Sequence, residues 1–143
     1  MKLFTSYYGS RSIDRKRHFL VRISNSSPKA FTVDAVLQDA VPDWDTIVKP
    51  YKEGNLDNAS YHKLYRQQLE SKAFSILLSL TDIAKASGGK DIVLLCYEKP
   101  GEFCHRRIFS KWLEEQAASL LSIIPELDAS GVEELGTGQL TLF

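Results

Sequence analysis

No apolar run in the chain approaches the roughly 20 residues that a membrane-spanning helix needs, so no spanning segment is expected. The opening Met1-Lys2-Leu3-Phe4-Thr5-Ser6 lacks the apolar core and cleavage site of a secretory signal, which points to a cytoplasmic protein. Cysteine is scarce. Two in 143 residues make no disulfide framework, and a chain this long buries enough core to do without one. Neither sign of charge is in excess: eighteen basic residues balance eighteen acidic ones. That excludes a protein that holds nucleic acid by neutralising phosphates across its whole surface. Any such contact must be local, or supplied by a partner. An apolar share of 43% with 25% charged residues also excludes the disordered class.

What is present alternates between strand and helix patterns. Residues 3–8, aromatic and followed by Gly9, read as a first strand. Residues 19–24 read as a second, ending in the turn Asn25-Ser26-Ser27-Pro28. Between them Arg11, Arg15, Lys16, Arg17 and His18 form a basic stretch, read as a solvated loop before a phosphate patch. Pro42-Asp43 opens a short helix carrying Trp44, Ile47 and Val48, stopped near Pro50 or Gly54. Asn58 is the expected N-cap of a helix with Tyr61, Leu64, Tyr65, Gln68 and Leu69 on one face. Ala73, Ile76, Leu77, Leu80, Ile83 and Ala84 make a further helical stripe, ended by Gly88-Gly89. The continuous apolar run Ile92-Val93-Leu94-Leu95-Cys96 fits a central parallel strand buried on both faces. A helix over residues 104–121 follows, and residues 123–127 fit a last strand that Pro125 confines to an edge.

This alternation predicts one α/β domain over residues 1–127: a small, mostly parallel sheet with helices on both faces, in a Rossmann-like or flavodoxin-like three-layer arrangement. Residues 128–143 read as a flexible tail. Ligands of such sheets gather at the carboxyl ends of the strands, where Ser6-Tyr7-Tyr8, residues 24–27 and residues 96–106 converge.

The last of these segments holds the most reactive side chains. A helix starting at Cys104-His105-Arg106 presents unpaired N–H groups and a dipole that favours negative charge, and Arg106 adds a positive fork. A phosphate or carboxylate fits there. The same field lowers the pKa of the Cys104 thiol; His105 is then its acid or base, and Glu98 orients His105 or pairs with Arg106. A structural reading competes, because buried thiols and Glu–Arg pairs are common. Cys96, inside the strand, reads as packing. Cys96, Cys104 and His105 lack the paired spacing of structural zinc sites, and His18 and His62 are too distant to assign, so no metal is expected and no cofactor is identified. A Cys96–Cys104 redox pair lacks the C-x-x-C form.

The element Leu94-Leu95-Cys96-Tyr97-Glu98-Lys99 followed by Phe103-Cys104-His105-Arg106 resembles the signature of domain-of-unknown-function family 488. The likeness extends to Thr5-Ser6-Tyr7-Tyr8, Ile23-Ser24 with Ser27-Pro28, Tyr51-Lys52-Glu53-Gly54, and Tyr61 with Tyr65, covering most of residues 3–116. It implies an α/β fold with this element at the site, in small bacterial or archaeal intracellular proteins without an established reaction. It also implies Cys104, His105, Arg106 and Glu98 as catalytic residues, with Ser24, Ser27, Lys52, Tyr61 and Tyr65 around a substrate. Tyr61 and Tyr65 lie one helical turn apart and read equally as core aromatics. Many relatives carry Ser-Arg where this chain has Ser24-Asn25, and the likeness fades after Leu121.

The chain ends Gln139-Leu140-Thr141-Leu142-Phe143, which resembles the peptide that docks bacterial replication and repair proteins on the sliding clamp. In that mode the Gln139 amide hydrogen-bonds at the groove edge, while Leu140, Leu142 and Phe143 fill apolar pockets. A segment packed on the protein's own core is the rival reading. Together these features describe a nucleotide or nucleic-acid enzyme brought to DNA by its tail. The alternatives are a non-catalytic clamp-binding adaptor and a thiol redox sensor. The terminal peptide is expected to bind bacterial sliding clamp in an anisotropy titration, and removal of Phe143 is expected to abolish that binding.

Overall fold

Burial on both faces explains the apolar run near residue 94: it becomes an inner strand of the sheet. A computed structural model describes residues 1–99, 101–116 and 124–128. Four strands, β1 (Leu3–Tyr7), β2 (His18–Arg22), β3 (Ala35–Val36) and β4 (Asp91–Cys96), form one sheet in the order β1-β4-β2-β3. Every neighbouring pair is parallel. Leu3 stands opposite Ile92 and Tyr7 opposite Cys96 on one side of β4, while His18 to Arg22 pair with Asp91 to Leu95 on the other. The carboxyl ends of β1 and β4 therefore finish level with each other, and β2 ends one residue short, opposite Leu95.

Alternation along the strands sorts their side chains between two clusters. Ile92 and Leu94 join Leu3, Val21 and Ile23 in the larger one, which the helices cover. These helices are α1 (Lys49–Lys52), α2 (Asn58–Ser71), α3 (Ala73–Ala86) and α4 (His105–Gln116). Tyr65 and Leu69 of α2, Ile76 and Leu80 of α3, and Phe109 and Trp112 of α4 meet in that core. Val93 and Leu95 join Leu20 and Tyr8 in the smaller cluster, packed with Phe4, Ile13, Phe31, Val33 and Leu127. The result is the expected class, a small parallel sheet packed with helices in a single α/β domain, and among the described residues the core contacts of those helices lie in the larger cluster.

Local chemistry sets the ends of the elements. A π-helical turn at Trp44–Val48 is capped by Asp43, whose carboxylate accepts the Thr46 N–H at 3.0 Å. It runs on into α1 through Pro50, tolerated in a first turn that needs no N–H from it, and the turn stops at Gly54, where φ is 79°. Asp57, not Asn58, caps α2, accepting the Ser60 N–H at 2.7 Å. The second strand ends two residues earlier than its apolar pattern suggested. The two-residue β3 was not foreseen, because so short a strand leaves no period to read. The expected last strand is a single parallel bridge, Thr5 with Glu126, on the β1 edge. Pro125 needs only its carbonyl there, accepting the Thr5 N–H at 3.1 Å.

The basic stretch is a loop before the amino end of β2. Arg15 lies 5.0 Å from the Phe31 ring centroid and donates to the Thr32 carbonyl, and Lys90 donates to the Arg15 carbonyl. It stands at the end of the sheet away from residues 96–106. No described helix is long and apolar enough to cross a membrane. The tail peptide at residues 139–143 lies outside the described residues.

Leu94, wholly buried, contrasts with Phe74 on α3, which is 75% exposed. Leu94→Ala is expected to cost about 2–5 kcal/mol in a urea unfolding measurement, whereas Phe74→Ala should stay within about 0.5 kcal/mol of the parent.

Candidate functional site

At the carboxyl end of β4 the chain leaves Cys96, turns through Tyr97 and Glu98 and the left-handed Gly101 (φ 90°), and re-enters at α4. This return places two sulfurs in contact, Cys96 from the strand and Cys104 from the residue preceding the helix. The Cys104 Sγ accepts the Arg106 N–H at 3.5 Å, and its carbonyl accepts the Arg107 N–H at 3.3 Å. The thiol thus sits at the positive end of the α4 dipole. Cys96 and Cys104 are paired through their sulfurs; when the pair is reduced, the acceptor for the Cys104 proton is Glu98 Oε2, 3.2 Å away.

His105 is buried beneath it. Nε2 donates to the Ile23 carbonyl at 2.6 Å, which fixes the neutral tautomer and leaves the Nδ1 lone pair facing the Cys104 Sγ at 4.0 Å. Burial pushes the imidazole pKa down to about 4; the Ile23 bond opposes that shift and the Arg106 charge adds to it. The ring is therefore neutral at neutral pH. Tyr65 packs edge-on against it, centroids 5.7 Å apart, and donates its hydroxyl proton to the Ala40 carbonyl. Burial holds the Tyr65 hydroxyl well above its ordinary pKa, so that donor stays protonated.

Arg106 departs from its expected part. Its guanidinium is wholly buried and turns away from solvent. Nε donates to Glu126 Oε1 at 2.8 Å, and Nη1 to the Cys96 Sγ at 3.0 Å and to the Glu98 carbonyl. A buried cation needs a counter-ion and filled donor positions, and these groups supply both. The guanidinium consequently lines no cleft and offers no fork to a ligand. It steadies the sulfur of Cys96, which is not the inert packing residue that its place in the strand implied.

A cleft of about 140 Å³ opens above this cluster. Cys104, His105 and Glu98 form part of its wall, with Ser24, Lys52 and Tyr61 from the expected second rank. Ser27 does not line it; the neighbouring Asn25 and Ser26 do. Tyr65 lies behind Tyr61 rather than on the surface of the cleft. The remaining wall is Pro42, Val48 and four aromatics, Trp44, Tyr51, Tyr97 and Phe103, which the sequence patterns contain but to which no site role was assigned. Tyr51 and Phe103 each meet Tyr61, at 5.0 and 5.2 Å between centroids, and Lys52 Nζ sits 5.5 Å above the Trp44 ring. Burial and the negative charge of Glu98 both raise the Tyr61 pKa. Ser24 Oγ donates to the Ser26 carbonyl and accepts from Tyr8, both at 2.6 Å. Asn25 ties the segment after β2 to the Pro42 carbonyl at 3.0 Å.

Spacing alone gave no reason to expect a metal, yet the fold gathers Cys96, Cys104 and His105 so that one donor atom of each lies within 4.8 Å of the others. This buried cluster is capable of coordinating a metal ion or an anion. Spacing rules miss it because its members come from a strand end and a helix start rather than from paired turns. The only separate signal was the presence of three ligand-type residues within one short return.

The family model DUF488-N3a, described as the "Active DUF488-N3 subclade", matches residues 1–117, and the chain belongs to that family. No curated protein and no solved structure matches the chain. The matched span takes in every residue of the cleft wall.

Glu126 has one carboxylate oxygen on Arg106 and a second, buried, without a hydrogen-bond partner among the described residues. Arg106→Met is therefore expected to destabilise the fold by about 3–5 kcal/mol, since it strands a buried carboxylate. Arg106→Lys should fall short of rescue in the same denaturation assay, because an ammonium cannot reproduce the planar fork.

Proposed function

We propose that the protein is an enzyme of nucleotide or nucleic-acid metabolism, taking a planar base into the aromatic cleft and acting on it, or on its sugar-phosphate, with the Cys104–Glu98–His105 group. The observation that carries this reading is the aromatic wall of Trp44, Tyr51, Tyr61 and Phe103 beside the Cys104 sulfur and Glu98. Aromatic faces stack any base, and the Ser24–Ser26 and Asn25 edge adds hydrogen-bonding groups to read its rim.

The chemistry follows from proton positions. With the Cys96–Cys104 pair reduced by a cellular thiol, transfer of the Cys104 proton to Glu98 leaves a thiolate at the α4 start, held by the Arg106 N–H and the helix dipole. Neutral His105, with its free Nδ1 on the sulfur side, is the second group able to take or return a proton there. With Arg106 turned inward, the positive contact to a phosphate falls to Lys52 at the cleft mouth. The sliding-clamp-like sequence Gln139-Leu140-Thr141-Leu142-Phe143 supports recruitment to DNA replication or repair, and recruitment would make a basic surface unnecessary in a chain of zero net charge.

A second reading, a thiol redox sensor, is favoured by the contact between the Cys96 and Cys104 sulfurs. It requires rapid reaction of Cys104 with an alkylating reagent at neutral pH, and slow alkylation would count against it.

Titration with a panel of mononucleotides, followed by calorimetry, tests the main reading. Tyr51→Ala and Trp44→Ala should each weaken nucleotide binding by about 1–3 kcal/mol, or roughly 5- to 150-fold. Absence of binding by any nucleotide to the parent protein would overturn it.

A further inference from the structure

The geometry points to a divalent metal site of the zinc class at Cys96, Cys104 and His105, with a fourth, exchangeable position open toward the cleft. This goes beyond the nucleotide reading: with the ion bound, Cys104 and His105 would serve as ligands instead of nucleophile and proton carrier, while the aromatic cleft would still be free to take a base.

Three features favour an ion over a sulfur–sulfur bridge or plain packing. The first is the width of the pair. The Cα atoms of Cys96 and Cys104 stand 7.8 Å apart, beyond the roughly 4.4–6.8 Å that a relaxed disulfide spans. Two thiolates sharing zinc are joined by two bonds of about 2.3 Å, a longer path that suits wider backbone anchors. The ion would take the place of the sulfur–sulfur contact.

The second is the orientation of the imidazole. Metal-ligating histidines commonly donate their other N–H to a carbonyl or carboxylate, which fixes the ring and its tautomer. His105 does this already: Nε2 is held on the Ile23 carbonyl at 2.6 Å, and Nδ1 faces the sulfurs with its lone pair free. The third is charge. Arg106 is neutralised by Glu126, so its Nη1 serves Cys96 as an outer hydrogen-bond donor without adding net charge. Two thiolates then match one divalent cation.

The donor set also chooses the ion. Two thiolates and an imidazole suit zinc and disfavour magnesium and calcium, which prefer oxygen. Glu98 Oε2, 3.2 Å from the Cys104 Sγ, lies on the cleft side, as do Cys104 and His105, so the ion has an entry path. Three firm ligands and one exchangeable position facing a cleft are the pattern of catalytic rather than structural zinc.

The test uses the full chain, reduced and stripped with a chelator, then titrated with cobalt(II) and afterwards with zinc. One cobalt per chain is expected, with a thiolate-to-cobalt charge-transfer band and the visible absorption of tetrahedral cobalt, both erased by zinc. Cys96→Ser and Cys104→Ser should each weaken the charge-transfer band and lower metal affinity about 10-fold or more, and His62→Gln should change neither. Should a serine variant fail to fold, the parent decides alone: zinc must raise its thermal midpoint in proportion to site occupancy. No stoichiometric uptake by the reduced parent, or an undiminished band in a folded Cys96→Ser variant, would overturn the site. Metal uptake retained in Tyr51→Ala while nucleotide binding weakens would show that the two ligands are read separately. Loss of nucleotide binding by the parent would leave the metal result untouched.

Discussion

Much of the site depends on where one cation is buried. Arg106 carries a full charge into the interior, and that is tolerable only while Glu126, the Glu98 carbonyl and the Cys96 sulfur all meet it. Those partners belong to three parts of the chain: the β1 edge, the β4–α4 return and the end of β4. By holding all three, the guanidinium sets how the return closes, and so where Glu98 and Cys104 stand. The neighbouring Arg107 extends the same link, donating to the Thr5 hydroxyl and the Ile124 carbonyl. A residue that sequence cast as a ligand for substrate is instead the fastening of the wall that substrate would meet.

Around that fastening the polar groups are arranged so that few are free to drift. His105 is held from one side by Ile23 and packed from another by Tyr65, which is itself anchored on Ala40. Each link crosses between elements, from α4 to the end of β2 and from α2 to the segment before α1. Rigid support of this kind is what a reactive thiol or a metal ligand needs, because small displacements of a reacting group are costly. The cleft above is different in character. Its aromatic wall is partly exposed and can present flat faces to a ligand without first losing much freedom.

Much of the fold was legible from periodicity. The apolar run in β4, the stripes of α2 and α3 and the glycine stop after α3 all appear where the pattern puts them, because burial of one or both faces leaves a repeat in the sequence. Boundaries were less legible. Asp57 took the cap expected of Asn58, since either side chain can accept the same N–H and the helix start decides between them. The site was legible in part: Cys104, His105 and Glu98 were recognisable as reactive types at a helix start. Ser27 and Tyr65 were placed around a ligand by resemblance, and Arg106 as an anion fork by its position at the helix start; none of the three lines the cleft.

Sequence by itself therefore determined the parallel sheet, the order of strand and helix, and the place of the candidate Cys–His–Glu group in the return from β4 to α4. These follow from local rules: period, capping and turn residues act over a few positions. Only the tertiary structure decided that Cys96 meets Cys104, that Arg106 faces inward, and that Trp44, Tyr51 and Phe103 share one wall. Such encounters join residues whose relation is invisible along the chain. Whether a charge faces a ligand or the core depends on which counter-ion is brought to it. Here Glu126, reached through the parallel bridge with Thr5, turned a clamp into a support.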